Sequence, residues 1–283
     1  MPNPLTLLPA PRHLVTSADT HALADQRLIL LDSTPALPTP LKGVLGTGGL
    51  RLRAGASVNP QALRFAAARF QQALRDRFGL TWELVASPAI PQDQVGLVLR
   101  IAPERVTHPQ GYELDITPDK ILIEARDEAG IFYGVCTLIQ ILDFPASRPS
   151  GVRLLCLRVS DWPDFPARGV MLDVSRDKVP SMDTLLTLVD MLAGWKINQL
   201  QLYTEHTFAY RNHRVVWEKA SPMTGEEILA LDAYCRERFI ELVPNQSSFA
   251  HLERWLTHKE YVHLAEREDS PFSISPAVPG SIE

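Results

Sequence analysis

The chain has 283 residues, 45% of them hydrophobic and 22% charged, with a net charge of −5. That length gives room for about two domains, and the balance is that of an ordinary globular protein. An acidic chain without a clustered basic face excludes nucleic acid as the expected partner, and three scattered cysteines, Cys136, Cys156 and Cys235, exclude a disulfide framework or cysteine zinc site.

The N-terminal stretch MPNPLTLLPAPRHLV lacks the charged start and long apolar core of a signal peptide. No apolar run reaches membrane-spanning length. The expectation is a cytoplasmic protein without a membrane partner, export remaining open if a natural N-terminus has been trimmed. The stretch NPQALRFAAARFQQALRDRFG predicts a helix with Asn59 as cap, Pro60 at its first position and Gly79 as its stop. Leu63, Ala67, Phe70, Leu74 and Phe78 share one face at helical spacing. QVGLVLRI reads as a strand, and YELDITPDKILIEA as two strands joined at Pro118-Asp119. Alternation of Tyr112, Leu114 and Ile116 with Glu113 and Asp115 predicts one more solvated sheet face. DEAGIFYGVCTLIQIL is apolar almost all round and predicts a helix buried on several sides. Gly130 and Gly134, four apart within it, cost helix propensity, which close backbone packing would explain. A linker-like break at FPASRPSG closes a first α/β domain over residues 1–150.

Residues 151–283 follow a different rhythm. The apolar run Val170-Met171-Leu172 looks like a buried strand, yet it begins at Arg168 and ends at Asp173, Ser175 and Arg176. A helix capped by Ser181 follows, with Leu185, Leu188, Val189 and Leu192 on its inner face. The strand INQLQLY comes next, then a helix opened by the capping box Thr224-Gly-Glu-Glu227. The strand FIELVP precedes a predicted helix through HLERWLTHKEYVHLAE. Repeated β-α units imply a parallel sheet or barrel. A full (β/α)8 barrel takes about 250 residues, so the remaining length suits either a small open sheet or the first part of a barrel.

In such folds the chemistry gathers at the C-terminal ends of the strands. Those ends carry Asp173, Ser175 and Arg176; then Tyr203, Glu205, His206, Tyr210 and Arg211; then Asn245, Gln246, His251 and Trp255. Directional polar groups beside aromatic rings suit a sugar. Taken singly, Glu205 and His206 fit a solvated loop equally well, and Asp173 with Arg176 fits a structural ion pair closing the strand. No histidine pair has a tight ligand spacing, so no metal is expected. No Gly-x-Ser-x-Gly is present to supply a serine nucleophile.

The segment FPARGVMLDVSRDKVPSMDTLLTLVDMLAGWKINQLQLY resembles the start of the catalytic barrel in family 20 glycoside hydrolases, the β-N-acetylhexosaminidases. Lys196, Asn198, Leu200 and Leu202 fit the helix-to-strand part of the pattern. LLPAPRHLV and GYELDITPDKILIEARDEAGIFYGVCTLIQIL look like the small α/β domain that precedes that barrel. The resemblance implies an α/β fold: an N-terminal α/β domain, then about the first three β-α units of a (β/α)8 barrel. It implies a retaining, substrate-assisted hydrolase of terminal N-acetylhexosamine, acting on a glycan or glycoside with no cofactor. Such families depart from the usual scheme of two enzyme carboxylates.

Residue by residue, the resemblance assigns Arg168 to the sugar hydroxyls, which a planar guanidinium meets well. It makes His251 a supporting residue, with Asn245 where the family has an acid and Glu205 standing in, one position off, for an aspartate. The expected substrate-binding set is therefore Arg168, Glu205, His251 and Asn245, with Arg168 and His251 facing one mouth near Glu205. Asp173 and Arg176 match the strand-end motif and read as mostly structural. The family's catalytic pair lies in Gly-Gly-Asp-Glu, which occurs nowhere in these residues, so no catalytic residue is expected in this chain. The alternatives are a related retaining hexosaminidase family, or a non-catalytic carbohydrate-binding pseudoenzyme.

Overall fold

The computed structural model describes residues 5–32, 59–86, 89–146, 151–176 and 178–281. Two compact units result, Met1–Pro166 and Ala167–Glu283.

The first unit carries strands β1 (His13–Ala22) and β2 (Leu28–Asp32), helix α1 (Pro60–Phe78), strands β3 (Glu83–Val85), β4 (Val95–Ile101), β5 (Tyr112–Ile116) and β6 (Ile121–Ala125), helix α2 (Glu128–Ile141) and strand β7 (Arg153–Asp161). The seven strands form one mixed sheet in the order β1-β7-β5-β6-β4-β2-β3. Helix α1 starts where expected: the Asn59 side chain accepts from the Gln61 amide at 3.1 Å, and Gly79 ends it in the left-handed region at φ 68°. Leu63, Ala67, Phe70 and Leu74 are buried along the predicted face.

Helix α2 is the centre of the unit. Asp127 caps it by accepting from the Gly130 amide at 2.9 Å. A Cβ on Gly130 would lie 2.3 Å from the Gly111 carbonyl oxygen, and one on Gly134 would lie 2.7 Å from Ile123 Cγ2. The two glycines thus let helix backbone touch the sheet, which is why their propensity cost is tolerated.

The other sheet face is ionic. Arg158 pairs with Asp115 at 2.6 Å, Arg100 with Asp32 at 2.7 Å, and Arg100 and Arg105 both hold the buried Glu124. The domain boundary expected at residue 150 needs correction. Strand β7 pairs antiparallel with both β1 and β5, so its hydrogen bonds bind residues 153–161 to the first unit. The break in composition at 147–150 lies outside the described residues and only precedes the last strand.

The second unit alternates strands and helices as the pattern predicts: β8 (Gly169–Asp173), α3 (Met182–Gly194), β9 (Gln199–Thr204), α4 (Arg214–Trp217), α5 (Gly225–Glu237), β10 (Glu241–Gln246) and α6 (Glu253–Leu256). The sheet order is β10-β9-β8, all parallel, with Val170, Leu200 and Leu242 in register. This is the arrangement of the first three β-α units of a barrel. Ser181 caps α3, and the Thr224–Glu227 capping box is formed in both directions. Leu185, Val189 and Leu192 of α3 and Leu231 and Cys235 of α5 are buried, as are Leu200 and Leu202 of β9.

Strand β8 is less buried than its apolar run suggests. Met171 is 58% exposed, and Val170 and Leu172 are half-buried. Side chains alternate across a strand, so Met171 shares a face with Gln201, Val243 and Asn245, which no layer covers among the described residues. That face carries a ladder of amides. Asn245 donates to Gln201 at 3.2 Å, Gln201 to Gln199 at 3.1 Å, and Gln199 to Glu241 at 3.3 Å.

The helix expected through residues 251–266 also needs correction. Only α6 and a 3-10 turn at Val262–Leu264 form. Leu252, Leu256 and Ala265 bury together against Trp255, Tyr261, Leu264 and Ile274, and Leu252 N donates to Phe272 O at 3.1 Å. The Pro- and Ser-rich ending, rather than trailing away, folds back over this short segment, and one straight helix could not point all these side chains inward.

Candidate functional site

The C-terminal ends of β8, β9 and β10 lie side by side, because parallel pairing puts Asp173 beside Tyr203 and Tyr203 beside Asn245. Each strand then hands its next residues to the same place. After β8, Asp173 turns the chain by accepting from the Ser175 amide at 2.8 Å and the Ser175 hydroxyl at 2.7 Å. Burial opposes its ionisation, but the two Ser175 hydrogen bonds and the Arg176 charge outweigh that and hold its carboxyl below the usual range.

Arg176 is the hub. Its guanidinium meets Glu205 Oε1 at 2.7 Å, donates to Ser175 Oγ at 2.7 Å and lies 3.4 Å from His251 Nδ1. The hydrogen bond to Glu205, more than any other effect, raises its pKa. Sequence reading left the partner of Arg176 as Asp173; the partner is Glu205, because Asp173 is occupied with Ser175. The signal for this was the Asp-x-Ser-Arg order itself, in which the serine takes up the aspartate and the arginine is left to reach the next strand.

Glu205 is not on a solvated loop. Glu205 and His206 are 4% and 6% exposed. Glu205 Oε1 also accepts from Tyr203 OH at 3.0 Å. Its backbone carbonyl accepts from Tyr210 OH and Trp255 Nε1, both at 3.1 Å. The Tyr210 and Trp255 rings meet edge to face at 5.0 Å, so an aromatic wall stands beside the carboxylate. Gln246 joins from β10, accepting from Thr204 Oγ1 at 2.8 Å. Burial raises the pKa of both Tyr203 and Tyr210, keeping their hydroxyls as donors.

His251 reaches this cluster from a left-handed backbone position, φ 58°. Such a conformation costs a non-glycine residue energy that local structure must supply; here the ring sits edge to face on Phe272 at 4.7 Å. Asn245 lies one step below, bonded to Gln201 and 3.4 Å from Met171 Sδ. The structure thus brings Glu205 and His251 to the mouth and sets Asn245 at its floor.

Arg168 is elsewhere. Its amide donates to Asn198 Oδ1 at 2.7 Å and its Nε to the Lys196 carbonyl at 2.8 Å. It opens β8 at the N-terminal end, so the expectation that it shares the mouth with His251 is corrected: a five-residue strand rises about 3.3 Å per residue and separates the two ends. Among the described residues no group of three or more His, Cys, Asp or Glu is placed to hold a metal ion, and no helix is long and apolar enough to cross a membrane.

Comparison with known proteins agrees with this architecture. Residues 33–162 match glycosyl hydrolase family 20, domain 2. The chain is 32% identical over 177 residues to the N,N'-diacetylchitobiase of Vibrio harveyi, covering 60% of this chain and 18% of that protein. It is 30% identical over 151 residues to a β-hexosaminidase of Akkermansia muciniphila, covering 47% of this chain and 30% of that one. The chain therefore spans well under half the length of these relatives. Among solved structures, the Flavobacterium johnsoniae chitobiase superposes with a TM-score of 0.74 at 20% identity, over 97% of this chain and 40% of that one. A Streptomyces plicatus β-hexosaminidase does so with a TM-score of 0.74 at 21% identity, over all of this chain and 55% of that one. Front domain, parallel β-α units and relatives converge: residues 33–162 match the second domain of glycosyl hydrolase family 20, and the whole chain has the fold found in the corresponding part of β-N-acetylhexosaminidases of that family.

Proposed function

We propose that these residues form the front portion of a hydrolase that removes terminal N-acetylhexosamine from glycans or glycosides with retention, the substrate's own acetamide oxygen attacking the anomeric carbon. The observation that carries this is the cluster at three adjacent strand ends, where Arg176, Tyr203, Glu205, Gln246 and His251 meet beside the Tyr210–Trp255 wall. Hydroxyl recognition needs fixed donors and acceptors, and a sugar's apolar face needs a ring. Glu205, held on Oε1 by two donors, and His251, backed by Phe272, are the supporting residues. Asn245 offers its amide at the floor. Arg168, held to the Lys196 carbonyl at the far end of β8, is left out of the proposed sugar contacts.

The chain by itself is expected not to hydrolyse glycosides. The reaction needs an acid within reach of the leaving oxygen and a second group to orient the acetamide. No Gly-Gly-Asp-Glu occurs in the sequence, and Glu205, nearly fully buried and bonded to Arg176, cannot fill both positions. The test is release of nitrophenol from its N-acetyl-β-glucosaminide by purified residues 1–283, with binding of N-acetylglucosamine measured in parallel. Binding without turnover fits the proposal. Turnover abolished by Glu205→Gln would overturn it and make Glu205 the acid.

A further inference from the structure

Next to Glu205, whose chain neighbours His206 and Thr207 line it, lies a cavity of about 580 Å³, a size typical of small-molecule sites, which run to roughly 300–1,000 Å³. It is built by the segments that follow all three strands. Lys178 comes from the segment after β8, Thr207 and Lys219 from the stretch after β9, and Arg254 and Thr257 from α6 and its end. Ser221 adds a third hydroxyl. Among the described residues that line it there is no carboxylate.

Two ammonium groups and one hydroxyl in this cavity are open to a partner of the same kind. Neither Lys178 nor Lys219 takes part in an ion pair among the described residues, although the unit holds several others. Like charges converging in one concavity raise its potential and draw counter-ions in. Thr207 is 1% exposed and its Oγ1 has no hydrogen-bond partner. A buried hydroxyl without a partner costs free energy, which rotation about χ1 would relieve if an acceptor stood in the cavity. An ammonium group is a donor only, and the Thr207 hydroxyl still has a proton to give, so one acceptor would serve all three groups, and the two lysine charges favour an anion. His206 and His258, which also line the cavity, add ring nitrogens to the same wall.

We infer that this cavity binds a tetrahedral oxyanion, phosphate or sulfate, either as the free ion or as the ester group of a small molecule. A tetrahedral group presents oxygens in several directions, which suits donors arriving from three separate segments. A planar carboxylate presents two. The inference does not rest on the glycosidase reading.

The test uses the 283-residue chain and calorimetric titration at constant ionic strength, with inorganic phosphate, inorganic sulfate, glucose 6-phosphate and glucose as probes and chloride as the competing ion. The expected result is binding of phosphate or sulfate at least tenfold tighter than chloride. Equal affinity for inorganic phosphate and glucose 6-phosphate would identify the free ion as the ligand; a preference of tenfold or more for the sugar phosphate, with glucose alone inert, would identify the ester. In the variant Lys178→Gln/Lys219→Gln, both side chains being exposed, anion affinity should fall at least tenfold while the melting temperature without anion stays unchanged. Thr207→Val should lower it independently. Affinity no greater than for chloride, or affinity indifferent to the lysine pair, would overturn the inference and leave N-acetylglucosamine binding at the mouth untouched.

Discussion

Arg176 shows how one side chain can decide the shape of a site. It is half exposed, yet its partner Glu205 is buried, so removing the arginine leaves a carboxylate in poor solvent without its cation. Arg176→Ala is expected to lower stability by about 1.5–3 kcal/mol, the range for hydrogen bonds to charged groups, and Arg176→Lys to restore part of it; urea unfolding followed by circular dichroism measures both. His21 makes a second case. Its Nδ1 lies 2.8 Å from the Thr117 carbonyl, and burial lowers its pKa from the ordinary 6.5 despite that bond. The unfolded chain therefore binds a proton more readily than the folded one, so the contribution of His21 is whole above pH 6.5 and is lost as pH falls through its folded value. Thermal melts from pH 8 down to pH 5 should show this loss, and His21→Asn should flatten that part of the curve. Neither residue's role was legible in the sequence. Arg176 could be placed at a strand end, but its choice of Glu205 over Asp173 depends on Ser175 claiming the aspartate. The burial of His21 depends on pairing with a strand more than a hundred residues away.

At the scale of elements the sequence is far more informative, because the decisive interactions are local. The caps at Asn59, Ser181 and Thr224 and the stop at Gly79 fall where the residues predict. Local pattern fails where distant contacts take over. The segment from Leu252 to Ala265 has helical spacing, but its core requires contact with Phe272 and Ile274, which a single helix cannot provide. The glycines of α2 lie between these cases. Their spacing suggested close packing, and only the structure names what they touch. Gly130→Ala would push a Cβ against the Gly111 carbonyl and the Ala125 side chain. Overpacking of this kind costs about 1–3 kcal/mol; because the obstacle is backbone, the upper half is expected, with a larger loss than for Gly134→Ala, whose nearest neighbours are side chains. Chemical denaturation of the two variants ranks them.

For the molecule as a whole, the consequential correction is the boundary. A polypeptide ending at Pro166 keeps β7 between β1 and β5 and should unfold cooperatively and stay soluble. One ending at residue 150 loses that strand and exposes the backbone of both neighbours, an invitation to aggregation; comparing the two by sedimentation and far-ultraviolet circular dichroism settles the point. Composition misled here because a Pro- and Ser-rich break marks a loop and says nothing of whether the next strand returns to the same sheet. The candidate site was likewise only partly legible, since strand ends can be read from pattern while the neighbours they acquire cannot. The amide ladder on the open face of the second sheet has one more implication. Its donors all run the same way, from Asn245 through Gln201 and Gln199 to the Glu241 carboxylate. Aligned hydrogen bonds polarise one another, so the chain behaves as a directional wire anchored by a negative charge at its base. Glu241, which touches nothing at the mouth, thereby fixes which end of the Asn245 amide faces its neighbour, and leaves the carbonyl oxygen as the polarity a ligand's hydroxyl would meet.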